Sequence, residues 1–140
     1  MDETNYTDNL KLVFTKAEII AQTYGSSYIG SEHLLFAMLN LSDCAAHKVL
    51  CRQNISAEEY KELFISTIDN HCNLKGLTPG TKEIVRTVEE YEEPVTGTNH
   101  LLLAIINSDD CLAMRILRIM GVDKHKLFID LASFMDSEEE

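Results

Sequence analysis

The sequence predicts an all-α fold of eight helices, set as two four-helix repeats about a pseudo-twofold axis with one joint core. Three observations predict it. The first is an internal duplication. Residues 28–55, YIGSEHLLFAMLNLSDCAAHKVLCRQNI, align with residues 95–122, VTGTNHLLLAIINSDDCLAMRILRIMGV, at a constant offset of 67. Ten of the twenty-eight positions are identical, among them Gly30/Gly97, His33/His100, Asn40/Asn107 and Cys44/Cys111. Such self-similarity fixes architecture before any other reading. The second is apolar spacing of three and four residues between recognisable caps and stops, with β-branched residues on the same stripes, so nothing reads as a strand. The third is that each copy holds one helix apolar almost all round. A single copy cannot cover it, whereas two copies packed on each other can.

The elements follow in order. Thr7 is an N-cap with Asp8 in the first turn, where the helix dipole favours an anion. Leu10, Val13, Phe14, Ala17, Ile20, Ala21 and Tyr24 form the inner stripe, and Gly25 supplies the stop. Gly30-Ser31 opens a second helix, Glu32 to Leu41, expected at the centre. Ser42-Asp43 caps a short third helix carrying Ala45, Ala46, Val49 and Leu50. Ser56 and Glu59 make a capping box for a fourth, lined by Tyr60, Leu63, Phe64 and Ile68. Thr78-Pro79, an N-cap followed by proline at the first helical position, starts the fifth. Ile84, Val85, Val88 and Tyr91 line it, and Pro94 lies beyond its end. The sixth spans about Asn99 to Asn107. The seventh follows Asp109-Asp110 and stops at Gly121. Asp123 caps the eighth, which carries Leu127, Phe128, Leu131 and Phe134.

The chain reads as a single domain over 1–140. Repeat one covers about 6–69, a connector about 70–76, repeat two about 77–135, and an acidic tail 136–140. Its 140 residues, 45% of them apolar, suit one core without staples. No apolar run approaches the roughly 18–20 residues that span a bilayer. The polar, acidic start MDETNYTDN is unlike a signal peptide, so a cytoplasmic location is expected. A net charge of −11 repels phosphate backbones and anionic lipid, which argues against nucleic acid and membrane as partners. Cys44, Cys51, Cys72 and Cys111 form no C-x-x-C pair; Cys44 and Cys111, equivalent by duplication, read as small buried hydrophobes.

Certain motifs resemble a known family. Tyr6-Thr7, then Gly30-Ser31-Glu32-His33-Leu34-Leu35, then a small-residue helix ending near Leu50, resembles the Clp repeat. Leu77-Thr78-Pro79 and Gly97-Thr98-Asn99-His100 give its second copy. The duplicated form is similar to the N-terminal domain of ClpC-type Clp ATPases over about residues 6–135. Tyr6 to Gly30 is 24 residues and Leu77 to Gly97 only 20, so helix five or its following loop is about one turn short. The resemblance implies a docking module that brings protein substrates and adaptor proteins to a Clp unfoldase, with no catalysis of its own. No G-x-x-x-x-G-K-[ST] loop occurs, so ATP and magnesium belong to an ATPase region outside these residues and no cofactor is expected here. A stand-alone Clp-repeat adaptor or decoy acting in trans remains open, as does, remotely, a Cys/His enzyme.

The resemblance also implies a ligand, phosphoarginine. The motif glutamate takes the guanidinium through paired charge-assisted hydrogen bonds, and a helix start takes the phosphate. It points to Thr7 and Asp8 for the phosphate end and Glu32 for the guanidinium end in the first copy, with Thr78 and Asn99 in the second. Against this, Asp8 places a negative charge by the phosphate. Asn9 and Gly80 stand where the family usually has a basic residue, and Asn99 where it has glutamate. The bland reading of Glu32 is a carboxylate on a helix start. Tyr6 and Leu77, apolar residues at the repeat starts, are either core edges or a partner surface. The run Glu89-Glu90-Tyr91-Glu92-Glu93 is either a solvated helix end or a steering surface for a basic adaptor. His33 and His100 read as structural residues at helix starts. No metal is expected, because no local i, i+4 or C-x-x-C ligand pair is seen. His71-Cys72 in the connector is no dyad, and no G-x-S-x-G elbow suggests serine catalysis.

Overall fold

A computed structural model describes residues 6–26, 28–66, 78–90, 96–108 and 111–137. Leu77, Ile68, Tyr91, Pro94, the connector with His71 and Cys72, and Asp109-Asp110 lie outside the described residues. Eight helices run in order: α1 (Asp8–Thr23), α2 (Ser31–Leu39), α3 (Ala45–Arg52), α4 (Ala57–Ser66), α5 (Pro79–Glu90), α6 (Thr98–Ile106), α7 (Leu112–Ile119) and α8 (Lys124–Ser137). Strand-like pairing among the described residues is limited to isolated bridge positions, a parallel bridge between Tyr6 and Thr96 and a bridge position at Ile29.

Local chemistry accounts for most ends. The Thr7 hydroxyl accepts from the Leu10 amide at 3.1 Å, and Thr78 does the same for Thr81 at 3.1 Å. Asp123 accepts from the His125 amide at 2.9 Å to open α8. Gly25 and Gly121 follow the ends of α1 and α7 at φ +70° and +84°, a left-handed turn that costs glycine little.

Two expectations change. The N-cap of α3 is Cys44, not Ser42 or Asp43: its sulfur accepts from the His47 amide at 3.3 Å and donates to the Met38 carbonyl at 3.8 Å. Cys111 occupies the same place before α7, donating to Ile105 O at 3.7 Å. These thiols therefore bond to the backbone at turns as well as filling space. Phe128 is not on the inner stripe of α8; it is exposed, one position past the buried Leu127.

α2 and α6 form the centre, where every residue except Glu32 in α2 and Leu103 in α6 is buried. α1 covers α2, and α5 covers α6. The third helix of each repeat then crosses over: α7 packs on α2 and α4, and α3 packs on α6 and α8. Polar pairs tie this exchange together twice. The Ser31 hydroxyl accepts from the Ala113 amide at 3.1 Å, and Thr98 accepts from the Ala46 amide at 3.1 Å. Both are the same bond seen from opposite repeats. One continuous cluster, with residues from all eight helices, forms the core.

Candidate functional site

The site grows from the start of α2. His33, at the third helical position, turns its ring back so that Nδ1 accepts from the Gly30 amide at 2.8 Å. Its Nε2 lies 3.1 Å from the Ser26 hydroxyl. Burial lowers its pKa to about 4, so the ring is neutral at pH 7. The 4.0 Å approach of Nδ1 to the Glu32 carboxylate is therefore no ion pair. His100 repeats the arrangement on the Gly97 amide at 2.9 Å.

Glu32 is the residue of α2 that reaches the surface, and only just: its side chain is 17% exposed. The carboxylate folds back over Gly30, where a Cβ would run into it. Glycine there leaves the acid its place. Desolvation raises the Glu32 pKa. Below it, the buried Tyr60 hydroxyl donates to the Glu32 carbonyl at 2.8 Å. Burial, and next the Glu32 charge, hold Tyr60 in its neutral form.

The helix start beside this acid belongs to the other repeat. The Thr78 amide donates to the Ile29 carbonyl at 3.0 Å, setting the first turn of α5 next to Gly30. The mirror contact sets Thr7 against Thr96 at 2.9 Å, next to Gly97. Thr7 and Asp8 thus stand beside Asn99, not Glu32. α1 and α2 run antiparallel, for the Asn9 side chain reaches the Asp43 carbonyl at 3.3 Å, beyond the far end of α2. Glu32 and Leu39 are separated by about 10 Å along the helix axis. Phosphoarginine carries its phosphate on a guanidinium nitrogen, so Thr7 and Glu32 cannot hold one such group together. The expected pairing of Thr7 and Asp8 with Glu32 does not fit this geometry; the helix start beside Gly30 is that of Thr78. At the mirror place Asp8 is exposed, and Asn99 is 5% exposed with its Oδ1 bonded to the His100 amide at 3.0 Å. Tyr6 is 6% exposed and stacks on Phe14 with centroids 6.0 Å apart, so little of its ring faces a partner.

A separate open groove of about 410 Å³ lies among α1, α2 and α4, lined by Ile20, Tyr24, Phe36, Asn40, Ala57 and Lys61. One local ligand pair escaped the sequence reading. His47 and Cys51 stand at i, i+4 on α3, with Nε2 and sulfur 3.2 Å apart. The signal was present as H-x-x-x-C, outside the duplicated histidines and cysteines that drew attention. Among the described residues no group of three or more potential ligands could hold a metal ion.

Residues 5–92, more than half of the chain, match the family model of the Clp repeat (R) N-terminal domain. The chain belongs to this family. As a Clp N-terminal domain it is 24% identical over 141 residues to the Bacillus subtilis protein called negative regulator of genetic competence ClpC/MecB, covering 96% of the chain but 17% of that relative. The chain thus spans about a sixth of the relative's length. Its fold is that of the N-terminal domain of the chaperone ClpD from Arabidopsis thaliana, with a TM-score of 0.79 at 16% identity, covering 96% of this chain and 99% of that one. It also overlays the ClpV N-domain solved in complex with a VipB peptide, with a TM-score of 0.72 at 16% identity over 91% and 88% of the two chains. Among the described residues no helix is long and apolar enough to cross a membrane.

Proposed function

We propose that this Clp N-terminal domain is a non-catalytic docking module of a cytoplasmic Clp ATPase unfoldase, binding protein substrates and adaptors. The observation that carries the reading is the acid at Glu32, folded over Gly30 and kept partly desolvated beside the start of α5. A carboxylate so placed costs stability and suits a cationic group brought by another protein. The peptide-bound ClpV N-domain, of the same fold, supports docking as the use of such a module. Tethered to an unfoldase, weak docking raises the local concentration of substrate and still permits hand-over.

The ligand proposed for this acid is phosphoarginine displayed on partner proteins. Glu32 takes the guanidinium, and the α5 start with Thr78 takes the phosphate. The site is single, because at the mirror position Asn99 supplies no charge and Asp8 repels phosphate. Pro79 has no amide and the Thr81 amide is held by Thr78, so the phosphate end offers few donors and binding is weak. Calorimetry with phosphoarginine tests this. One weak site is expected, lost in Glu32→Ala and unchanged in Asp8→Ala. Two equal sites, or heat surviving Glu32→Ala, would refute the ligand assignment. Absence of heat with phosphoarginine while a substrate or adaptor still binds would leave the docking role standing.

A further inference from the structure

We propose that Cys51 is a nucleophilic thiol with His47 as its general base, forming a mixed disulfide with small disulfides of the glutathione class. Three groups line up, His47 and Cys51 on α3 and the Met38 carbonyl near the end of α2. His47 Nδ1 lies 3.2 Å from the Met38 carbonyl. A carbonyl can only accept, so the proton sits on Nδ1 and the Nε2 lone pair faces outward. That lone pair is 3.2 Å from the Cys51 sulfur, which is exposed. Nucleophile, base and a third group that fixes the base are thereby in place.

Packing does not require this pair. The equivalent residues of repeat two are Met114 and Arg118, on the same helix of the same fold. Met114 is buried, whereas His47 is half-buried beside the exposed Cys51. The charges nearby are mixed. Lys48 lies one turn before Cys51 and Arg52 next along, and the carbonyl end of α3 lies there too. From α8, Asp130 is occupied by Gln53 at 2.9 Å and by Arg52 at 3.7 Å. Cys44, with its sulfur bonded to the backbone and fully buried, has no such access.

The step balances. The thiol proton passes to His47 Nε2, and the Cys51 sulfur bonds to one sulfur of the disulfide. The original S–S bond breaks, and the departing thiolate takes the proton from the imidazolium. Cys51 is oxidised to a mixed disulfide, and one glutathione thiol is released.

The test incubates the intact protein with oxidised glutathione near pH 7 and maps adducts by mass spectrometry over time. Cys51 is expected to be modified ahead of Cys44, Cys72 and Cys111. His47→Gln should slow its modification about tenfold or more at neutral pH, with the gap closing in alkali where hydroxide ionises the thiol directly. Circular dichroism checks that the variant is folded. Equal labelling of all four cysteines in the native protein, or first labelling elsewhere, overturns the proposal with no variant needed. So does a folded His47→Gln protein that reacts at the native rate.

Discussion

At Glu32 a carboxylate is kept over Gly30 with most of its side chain out of water, and desolvation raises its pKa. Burial therefore disfavours the charged form more in the folded than in the unfolded chain, and keeping that charge at pH 7 costs stability. Glu32→Gln keeps the shape without the charge. It is expected to raise the unfolding free energy at pH 7 by about 1 kcal/mol, read from denaturant midpoints, while abolishing phosphoarginine binding. A residue needed only for packing would lose stability on the same change. His33 works in the other direction. Its folded pKa of about 4 lies below the ordinary 6.5, so between those values the unfolded chain binds a proton that the folded chain refuses. Its contribution is whole above pH 6.5 and lost as pH falls to 4, amounting to about 3 kcal/mol. Glu32 offsets part of this at the acid end, because protonation relieves its own cost. Unfolding free energies measured across this range should fall with acid in the native protein. They should fall less steeply in His33→Gln, though that variant begins lower for want of the Gly30 cap.

Helices meet across the repeats through matched bonds, and these carry a prediction of their own. Ser31 serves the first turn of α7, and Thr98 that of α3, each accepting from a buried amide. Ser31→Ala and Thr98→Ala should each cost about 1–2 kcal/mol, since each leaves an amide without an acceptor. Ser56→Ala, which removes only the exposed acceptor of the Glu59 amide, should cost less; urea denaturation of the three variants makes the comparison. The same contrast marks what the chain reveals when read as text. Thr7, Thr78 and Asp123 were legible as caps, and Gly25 and Gly121 as stops, because each acts within four residues of itself. Cys44 was missed as a cap because a thiol is a weak acceptor seldom assigned that role. The approach of the α5 start to Gly30 could not be seen either. It depends on a backbone bond from Thr78 to Ile29, and no local pattern records which repeat supplies the neighbour.

For the whole molecule the exchange of third helices decides how it folds. α2 is buried on nearly every side, and part of that cover is α7, from the other repeat. Remove repeat two, and Leu34, Leu35 and Met38 lose covering neighbours. Burying such a side chain is worth about 1.5–3 kcal/mol. A few such losses match the whole stability of an ordinary domain, roughly 5–15 kcal/mol. Neither repeat should therefore stand alone. Separate peptides ending near residue 70 and beginning near residue 76 are each expected to show little helical circular dichroism and no cooperative melt. Mixed in equal amounts they should regain both, because helices of the two repeats pack on one another in the core. The intact chain should unfold in one transition seen alike by far-ultraviolet dichroism and by tyrosine fluorescence. A repeat-one peptide that melts cooperatively by itself would show that α2 can be covered from within its own repeat, contrary to the joint core.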